Sequence, residues 1–273
     1  MPELPEIEVL RRSLEPLLVG DEIRALAALS PKLREPLDRA AFEGLVGQRV
    51  VALRRRSKYL LIDLSGVQTL VVHLGMSGRL TLVPGTADQE PHEHLRLALA
   101  SGRALRLVDP RRFGLAFVAD SVRLPDDPHF VGLGPEPLEA GFDGAALAAA
   151  ARGRRGPVKP FLMDAGVVVG VGNIYACESL FRAGIHPNRS VARISRARWD
   201  ELARQVVAVL GDAIRQGGTT LNDFVDGRGE GGYFQVSLAA YGREGQACLR
   251  CGSAIRRQVH ANRSTFYCRQ CQR

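Results

Sequence analysis

Four cysteines near the end of the chain form the pattern Cys248-x2-Cys251-x16-Cys268-x2-Cys271, and a fifth, Cys177, stands apart. Each Cys-x2-Cys pair can make a tight knuckle, and two knuckles at this separation present four thiolates tetrahedrally to one Zn²⁺. Two disulfides are the other reading of the spacing, but they belong to oxidising compartments. An ion with four protein ligands has no open position, so it is structural and does no chemistry. The loop it would hold carries Arg256, Arg257, His260 and Arg263, with Phe266 and Tyr267 behind them. Such a tip suits nucleic-acid phosphate or a groove. Zinc ribbons also serve RNA-binding proteins, so the motif narrows the class without settling it.

Reactive chemistry is available at the other end. Pro2 becomes the N-terminus once Met1 is removed. Its secondary amine has a reference pKa near ~8, so part of it is unprotonated at neutral pH. Such an amine can attack the C1′ carbon of a sugar and form an iminium. Glu3 lies beside it and Glu6 one helical turn later. One acid could move a proton while another stays ionised and steadies positive charge. Taken alone, these residues read as a helix start, since proline and acidic side chains both suit a first turn.

The formal net charge is +8 and the pI about 9.7, which points to an anionic partner, nucleic acid first. Of 37 basic residues only Lys32, Lys58 and Lys159 are lysines. A lysine retained against that background suggests a site where arginine would not serve, because lysine can lose its proton and arginine effectively cannot. A hydrophobic content of 45% and a mean hydropathy of -0.05 are those of a globular protein. No apolar run approaches the ~18 to 20 residues needed to span a bilayer. The chain is acidic from its third residue, unlike a signal peptide, and is expected in the cytoplasm.

These groups need elements to hold them. Ile7, Leu10, Leu14, Leu17 and Leu18 recur at helical spacing before Gly20, predicting an opening helix. From about 49 to 118 the period becomes that of strands, in RVVAL, KYLLIDL, QTLVVHL, HLRLALA and ALRLV. That is a β-sandwich or flattened barrel. The stretch 126–137, DDPHFVGLGPEP, reads as a linker. Helices are expected over 143–152, about 159–165, 173–183 and 195–216, with Cys177 buried on one of them. A glycine-rich stretch, 217–235, reads as a mobile loop before the zinc hairpin. No internal repeat or long low-complexity tract is present. The class is α+β.

Five elements stand in order before the zinc hairpin: PELPEIE (2–8), RRRSKYLL (54–61), HLGMSGRL (73–80), DPRRFG (109–114) and VGVGNIYACESL (169–180). The hairpin then ends in HANRSTFYCRQCQ (260–272). Over essentially the whole chain this resembles the bacterial formamidopyrimidine-DNA glycosylases. The resemblance implies an N-terminal catalytic β-sandwich (1–131), a helix-two-turn-helix domain (132–237) and a zinc finger (238–273). It implies excision of oxidised purines, 8-oxoguanine and formamidopyrimidines, through a Schiff base at Pro2, followed by β,δ-elimination of the abasic site. Glu3 is then the principal proton donor, Lys58 supports elimination and contacts a phosphate, and Arg263 grips phosphate and donates a proton in the later elimination.

To reach a base inside a duplex such an enzyme must extrude it and fill the gap. By the resemblance, Phe113 stacks into the step, Arg111 bonds the orphaned cytosine and Met76 occupies the vacated space. Asn173 binds phosphate at a turn, and His92, Arg155 and Lys159 are further DNA contacts. The alignment around GRRGPVKP is looser, so Arg154 could replace Arg155. The stretch GRGEGGYFQ (227–235) is expected to close over the flipped base. The implied partner is double-stranded DNA carrying oxidised purines or abasic sites, with no membrane, and the implied protein is a monomer of the bacterial cytoplasm and nucleoid. Endonuclease VIII shares the fold and the Pro2 chemistry, but it begins PEGPE and lacks the DPRRFG wedge. A catalytically dead binding protein would not need an N-terminal secondary amine beside Glu3 and Lys58.

Overall fold

The computed structural model describes residues 2–219, 226–227, 229–260 and 262–273. It contains two units, residues 1–131 with 216–233, and residues 132–215 with 234–273. The first break falls inside the stretch read as a linker. Residues 216–233, expected with the helices, group instead with the first unit. Backbone bonding explains this: Thr219 N–H donates to Glu6 at 2.8 Å, Gly227 N–H to Ser13 Oγ at 2.9 Å, and Leu82 N–H to the Gly227 carbonyl at 3.0 Å.

The first unit opens with helix α1 (Leu4–Leu18), close to the expected bounds. Two four-stranded antiparallel sheets follow. One has the order β2 (Val50–Arg56), β3 (Tyr59–Leu64), β4 (Gln68–His73), β8 (Leu115–Asp120). The other has the order β1 (Ile23–Leu29), β6 (Glu93–Leu99), β7 (Arg103–Val108), β5 (Arg79–Pro84). Strands β1, β5 and β8 lie outside the five apolar runs of the sequence. β1 is alanine-rich, and alanine has little strand preference of its own, so pairing with β6 decides its state. Ile62, Leu64, Leu70 and Val72 of one sheet share a core with Leu95, Leu97, Leu105 and Leu107 of the other. Ile7, Leu10, Leu14 and Leu18 of α1 complete that core, which burial of roughly 1.5 to 3 kcal/mol per large side chain stabilises. A short helix α2 (Arg39–Glu43) is capped by Asp38.

The second unit holds α3 (Gly144–Ala150), α4 (Val158–Leu162), α5 (Asn173–Arg182) and α6 (Arg196–Arg215), each within the expected stretches to a few residues. The hairpin β9 (Arg256–His260) and β10 (Arg263–Tyr267) follows. Glu178 of α5 is wholly buried and accepts from the backbone N–H groups of Ala239, Ala240 and Tyr241 at 2.8 to 3.0 Å. Cys177 is buried in α5, as the helix placement predicts. Of the loop expected to be mobile, 220–225 and 228 lie outside the described residues, including Arg228 of the stretch expected to close over a base. Among the described residues no helix is long and apolar enough to cross a membrane.

Candidate functional site

At the start of α1, Pro2, Glu3 and Glu6 are all buried. Glu6 accepts from the Glu3 N–H at 2.7 Å and from the Thr219 N–H at 2.8 Å. The carboxylate therefore satisfies an orphan donor of the first turn, as a capping residue does. It also fixes the chain that leads into 217–235. Glu3 and Glu6 cap the turn reciprocally, the Glu3 side chain accepting from the Glu6 N–H, and Glu6 alone of the two also binds Thr219.

Lys58 sits in the two-residue turn between β2 and β3, where Arg56 pairs with Tyr59. Ser57 takes φ 55, the left-handed region that a tight hairpin turn requires. Beneath the turn, Arg55 donates to the Ser57 carbonyl at 3.1 Å and lies 3.4 Å from Glu8. Glu8 also binds Arg11 and Arg12 of its own helix. Burial raises the Glu8 pKa, but the arginine hydrogen bonds and charges outweigh it and the net shift is downward. This ion cluster joins the helix that follows Pro2 to the strand that precedes Lys58.

Met76 and Phe113 stand out from the same unit at 41% and 45% exposure, unusual for apolar side chains with a core close at hand. The Arg111 guanidinium lies 4.8 Å over the Phe113 ring, a cation–π contact that keeps both side chains extended together. The two loops meet backbone to backbone. Gly75 has φ 62, and a methyl group there would run into the carbonyl of Phe113 and the nitrogen of Gly114. Arg34, passed over in the sequence, donates to the Phe113 carbonyl at 2.6 and 3.0 Å. His92 is exposed, with φ 66.

In the second unit Asn173 is the first residue of α5, where the helix dipole favours an anion. Its side chain is engaged inward: Oδ1 accepts from Lys159 and Nδ2 donates to the Ser264 carbonyl at 3.0 Å. Lys159 is 1% exposed. Its ammonium also reaches Thr265 Oγ1 at 2.7 Å and the Ser264 carbonyl at 3.3 Å, so it ties α4 and α5 to β10. Arg263, one residue away, is exposed and opens β10 opposite His260. Arg154 pairs with Asp164 at 2.9 Å and lies over Phe161, while Arg155 is exposed.

The sulfurs of Cys248, Cys251, Cys268 and Cys271 all lie within 4.8 Å of one another. The Cys248–Cys271 separation is 3.9 Å and the Cys251–Cys268 separation 3.5 Å. Both are far beyond a disulfide bond of about 2.05 Å and close to the ~3.8 Å edge of a tetrahedron with Zn–S bonds of ~2.3 Å. The four cysteines fit one zinc ion. Gly252, at φ 75, closes the first knuckle by donating to the Cys248 carbonyl at 2.9 Å.

Residues 1–116 match the family described as formamidopyrimidine-DNA glycosylase N-terminal domain, residues 133–225 its H2TH domain, and residues 245–273 the zinc finger found in FPG and IleRS. The formamidopyrimidine-DNA glycosylase of Halorhodospira halophila is 53% identical over 274 residues, and that of Stenotrophomonas maltophilia 48% over 273, each alignment covering 100% of both chains. Among solved structures, a Lactococcus lactis FPG mutant in complex with a Fapy-dG containing DNA superposes with a TM-score of 0.92 at 31% identity, covering 99% of each chain. A complex of L. lactis Fpg with DNA containing an abasic site gives 0.91 at 31% identity and the same coverage. MutM (FPG) from Thermus thermophilus gives 0.88 at 37% identity, covering 99% of this chain and 98% of that one. Three successive domain matches, full-length relatives near half identity and a shared fold meet on the segments that carry Pro2, Lys58, the paired loops and the cysteines: the chain belongs to the formamidopyrimidine-DNA glycosylase family.

Proposed function

We propose that this protein excises oxidised purines from duplex DNA with Pro2 as nucleophile and then cleaves the abasic site by β,δ-elimination. The observation that carries the reading is the buried N-terminal turn, in which Glu6 accepts from the Glu3 N–H next to Pro2 and from the Thr219 N–H. After removal of Met1, the Pro2 nitrogen attacks C1′ of the lesion nucleotide as the glycosidic bond breaks, loses its proton, and the C1′–O4′ bond then opens to leave an iminium. Glu3 supplies the proton for the sugar ring or the departing base. Abstraction of a C2′ proton from the iminium then expels the 3′ phosphate, and Lys58 supports this elimination. A second elimination releases the 5′ phosphate with a proton from Arg263.

Extrusion of the base falls to Met76, Arg111 and Phe113, whose exposure suits insertion into a duplex. His92 and Arg155 reach phosphate from exposed positions, and Asn173 does so through its backbone N–H, with Lys159 holding it from beneath. Pairing of Arg154 with Asp164 favours Arg155 as the contact. The division of labour is chemistry in 1–131, DNA grip in 132–237 and a phosphate-gripping finger in 238–273, in a monomer working at the bacterial nucleoid. Borohydride trapping on an 8-oxoguanine duplex tests the core of the reading. Pro2→Gly should lose the covalent adduct and nearly all base excision while keeping duplex affinity. Full excision by that variant would sink the nucleophile assignment.

A further inference from the structure

The loops that carry Met76, His92, Arg111 and Phe113 converge on one residue. Asp109 follows β7 and is wholly buried. Its Oδ1 accepts from Ser77 Oγ at 2.7 Å and from the Arg111 N–H at 3.3 Å, and its Oδ2 accepts from the Gly114 N–H at 2.7 Å. Its own N–H donates to the His92 carbonyl at 3.0 Å. Its carbonyl accepts from the Arg112 N–H at 3.2 Å and lies 3.0 Å from His94 Nε2. A carbonyl only accepts, so His94 donates to it from Nε2. The other ring nitrogen, Nδ1, lies 2.9 Å from the Ser30 hydroxyl. Ser77 adjoins Met76, Gly114 adjoins Phe113, and Arg111 and His92 are bonded at their own backbones. One residue therefore fixes the chain beside each of the four.

We propose that Asp109 is the positioning residue for base extrusion. It holds the Met76 loop and the Arg111–Phe113 loop at the spacing at which they enter a duplex, and it touches no DNA itself. Hydrogen bonds to a buried carboxylate are strong and short-ranged, so the two loops are set before DNA arrives. The sheets do not require this arrangement. All three donors to the side chain come from the two loops, and none from a strand. The proposal rests on the wedge reading of Met76, Arg111 and Phe113, and its test must separate the two.

Asp109→Asn keeps shape and one acceptor oxygen but turns an NH2 group toward a hydroxyl or N–H that needs an acceptor. Single-turnover rates are measured for Asp109→Asn, Ser77→Ala, Phe113→Ala and the double variant Asp109→Asn/Phe113→Ala. The substrates are an 8-oxoguanine·cytosine duplex and a duplex with a preformed abasic site, with zinc content and thermal unfolding recorded in parallel. Loss of a hydrogen bond to a charged group should slow 8-oxoguanine excision by Asp109→Asn on the order of tenfold. Cleavage at the abasic site, where no base must be flipped, should stay within about twofold. The double variant should be hardly slower than the slower single, because both act on one step. Ser77→Ala, which removes one donor and leaves the fold, should show the same split more weakly and serves if Asp109→Asn does not fold. Equal losses on both substrates for Asp109→Asn and Ser77→Ala, or an additive double variant, would overturn the proposal. Phe113→Ala without the split would bring down the wedge reading and this proposal with it. Phe113→Ala with the split, beside Asp109→Asn without it, overturns the proposal alone.

Discussion

Lysine is rare enough here for each one to be interrogated, and Lys159 answers most clearly. Its ammonium is a compact donor that reaches Asn173 Oδ1, Thr265 Oγ1 and the Ser264 carbonyl. A guanidinium has five donors in a planar fork and more volume, and the site is 1% exposed. Lys159→Arg should therefore fail as a replacement, although arginine fills nearly every other basic position. Displacing Asn173 and the strand that bears Arg263 should weaken lesion-duplex affinity on the order of tenfold, the effect of losing a charged hydrogen bond in a buried site. Filter binding or fluorescence anisotropy at fixed salt measures this, with zinc content as the control for the finger. Unchanged affinity in Lys159→Arg would show that the ammonium does not support the contact.

Among the elements, the hairpin of β3 and β4 places a histidine where its charge is unwelcome. His73 pairs across the strands with Tyr59, whose ring centroid lies 4.9 Å away, and its Nδ1 accepts from the Gly75 N–H at 3.0 Å. Burial above all, then the charges of Arg34 and Lys58 and the neighbouring His129, push its pKa down to about 3. Between an unfolded value near 6.5 and that folded value the unfolded chain binds a proton that the folded chain refuses. Stability therefore rises with pH across this window and is lost as pH falls below about 6.5. At pH 5.5 the loss from this residue should reach about 1.4 kcal/mol. Denaturant unfolding of the wild type and His73→Gln at pH 7.5 and 5.5 isolates the contribution, because only the difference between the two pH losses is used. Identical pH losses in the two proteins would remove His73 from the account.

For the whole molecule, the sandwich of the first unit has a large apolar core, and the four cysteines of the second fit one zinc ion. The cluster around the finger is small: Phe181, Ala240, Cys248, Ile255 and Cys268, two of them zinc ligands. So little apolar surface does not order a hairpin without a staple, whereas structural zinc contributes roughly 10 to 16 kcal/mol of apparent binding energy. Cys268→Ser should lower zinc content, expose 245–273 to protease and abolish lesion binding. The sandwich core should persist as a protected fragment with its own unfolding transition. Wild-type affinity in a zinc-free preparation would overturn the assignment of the finger to DNA binding.

Sequence alone determined what depends on local chemistry. Cysteine spacing specified the zinc knuckles, helical periodicity over Ile7–Leu18 gave the body of α1, and ordered motifs carried the family. A side chain's periodicity or spacing is a property of its neighbours in the chain. Only tertiary structure gave Glu6 a role that Glu3 lacks, because the second donor to Glu6 comes from Thr219, 213 residues away. It likewise turned Lys159 inward and made Asp109 a hub that ties its own loop to Ser77, 32 residues earlier. Asp109 stood in full view within DPRRFG, but a carboxylate before Pro-x-x reads as an ordinary turn residue. Its meaning lies in the donors that surround it, and burial with satisfied hydrogen bonds is decided by packing between distant segments. The strand state of β1 belongs to the same class, since its alanines have little preference until β6 pairs with them.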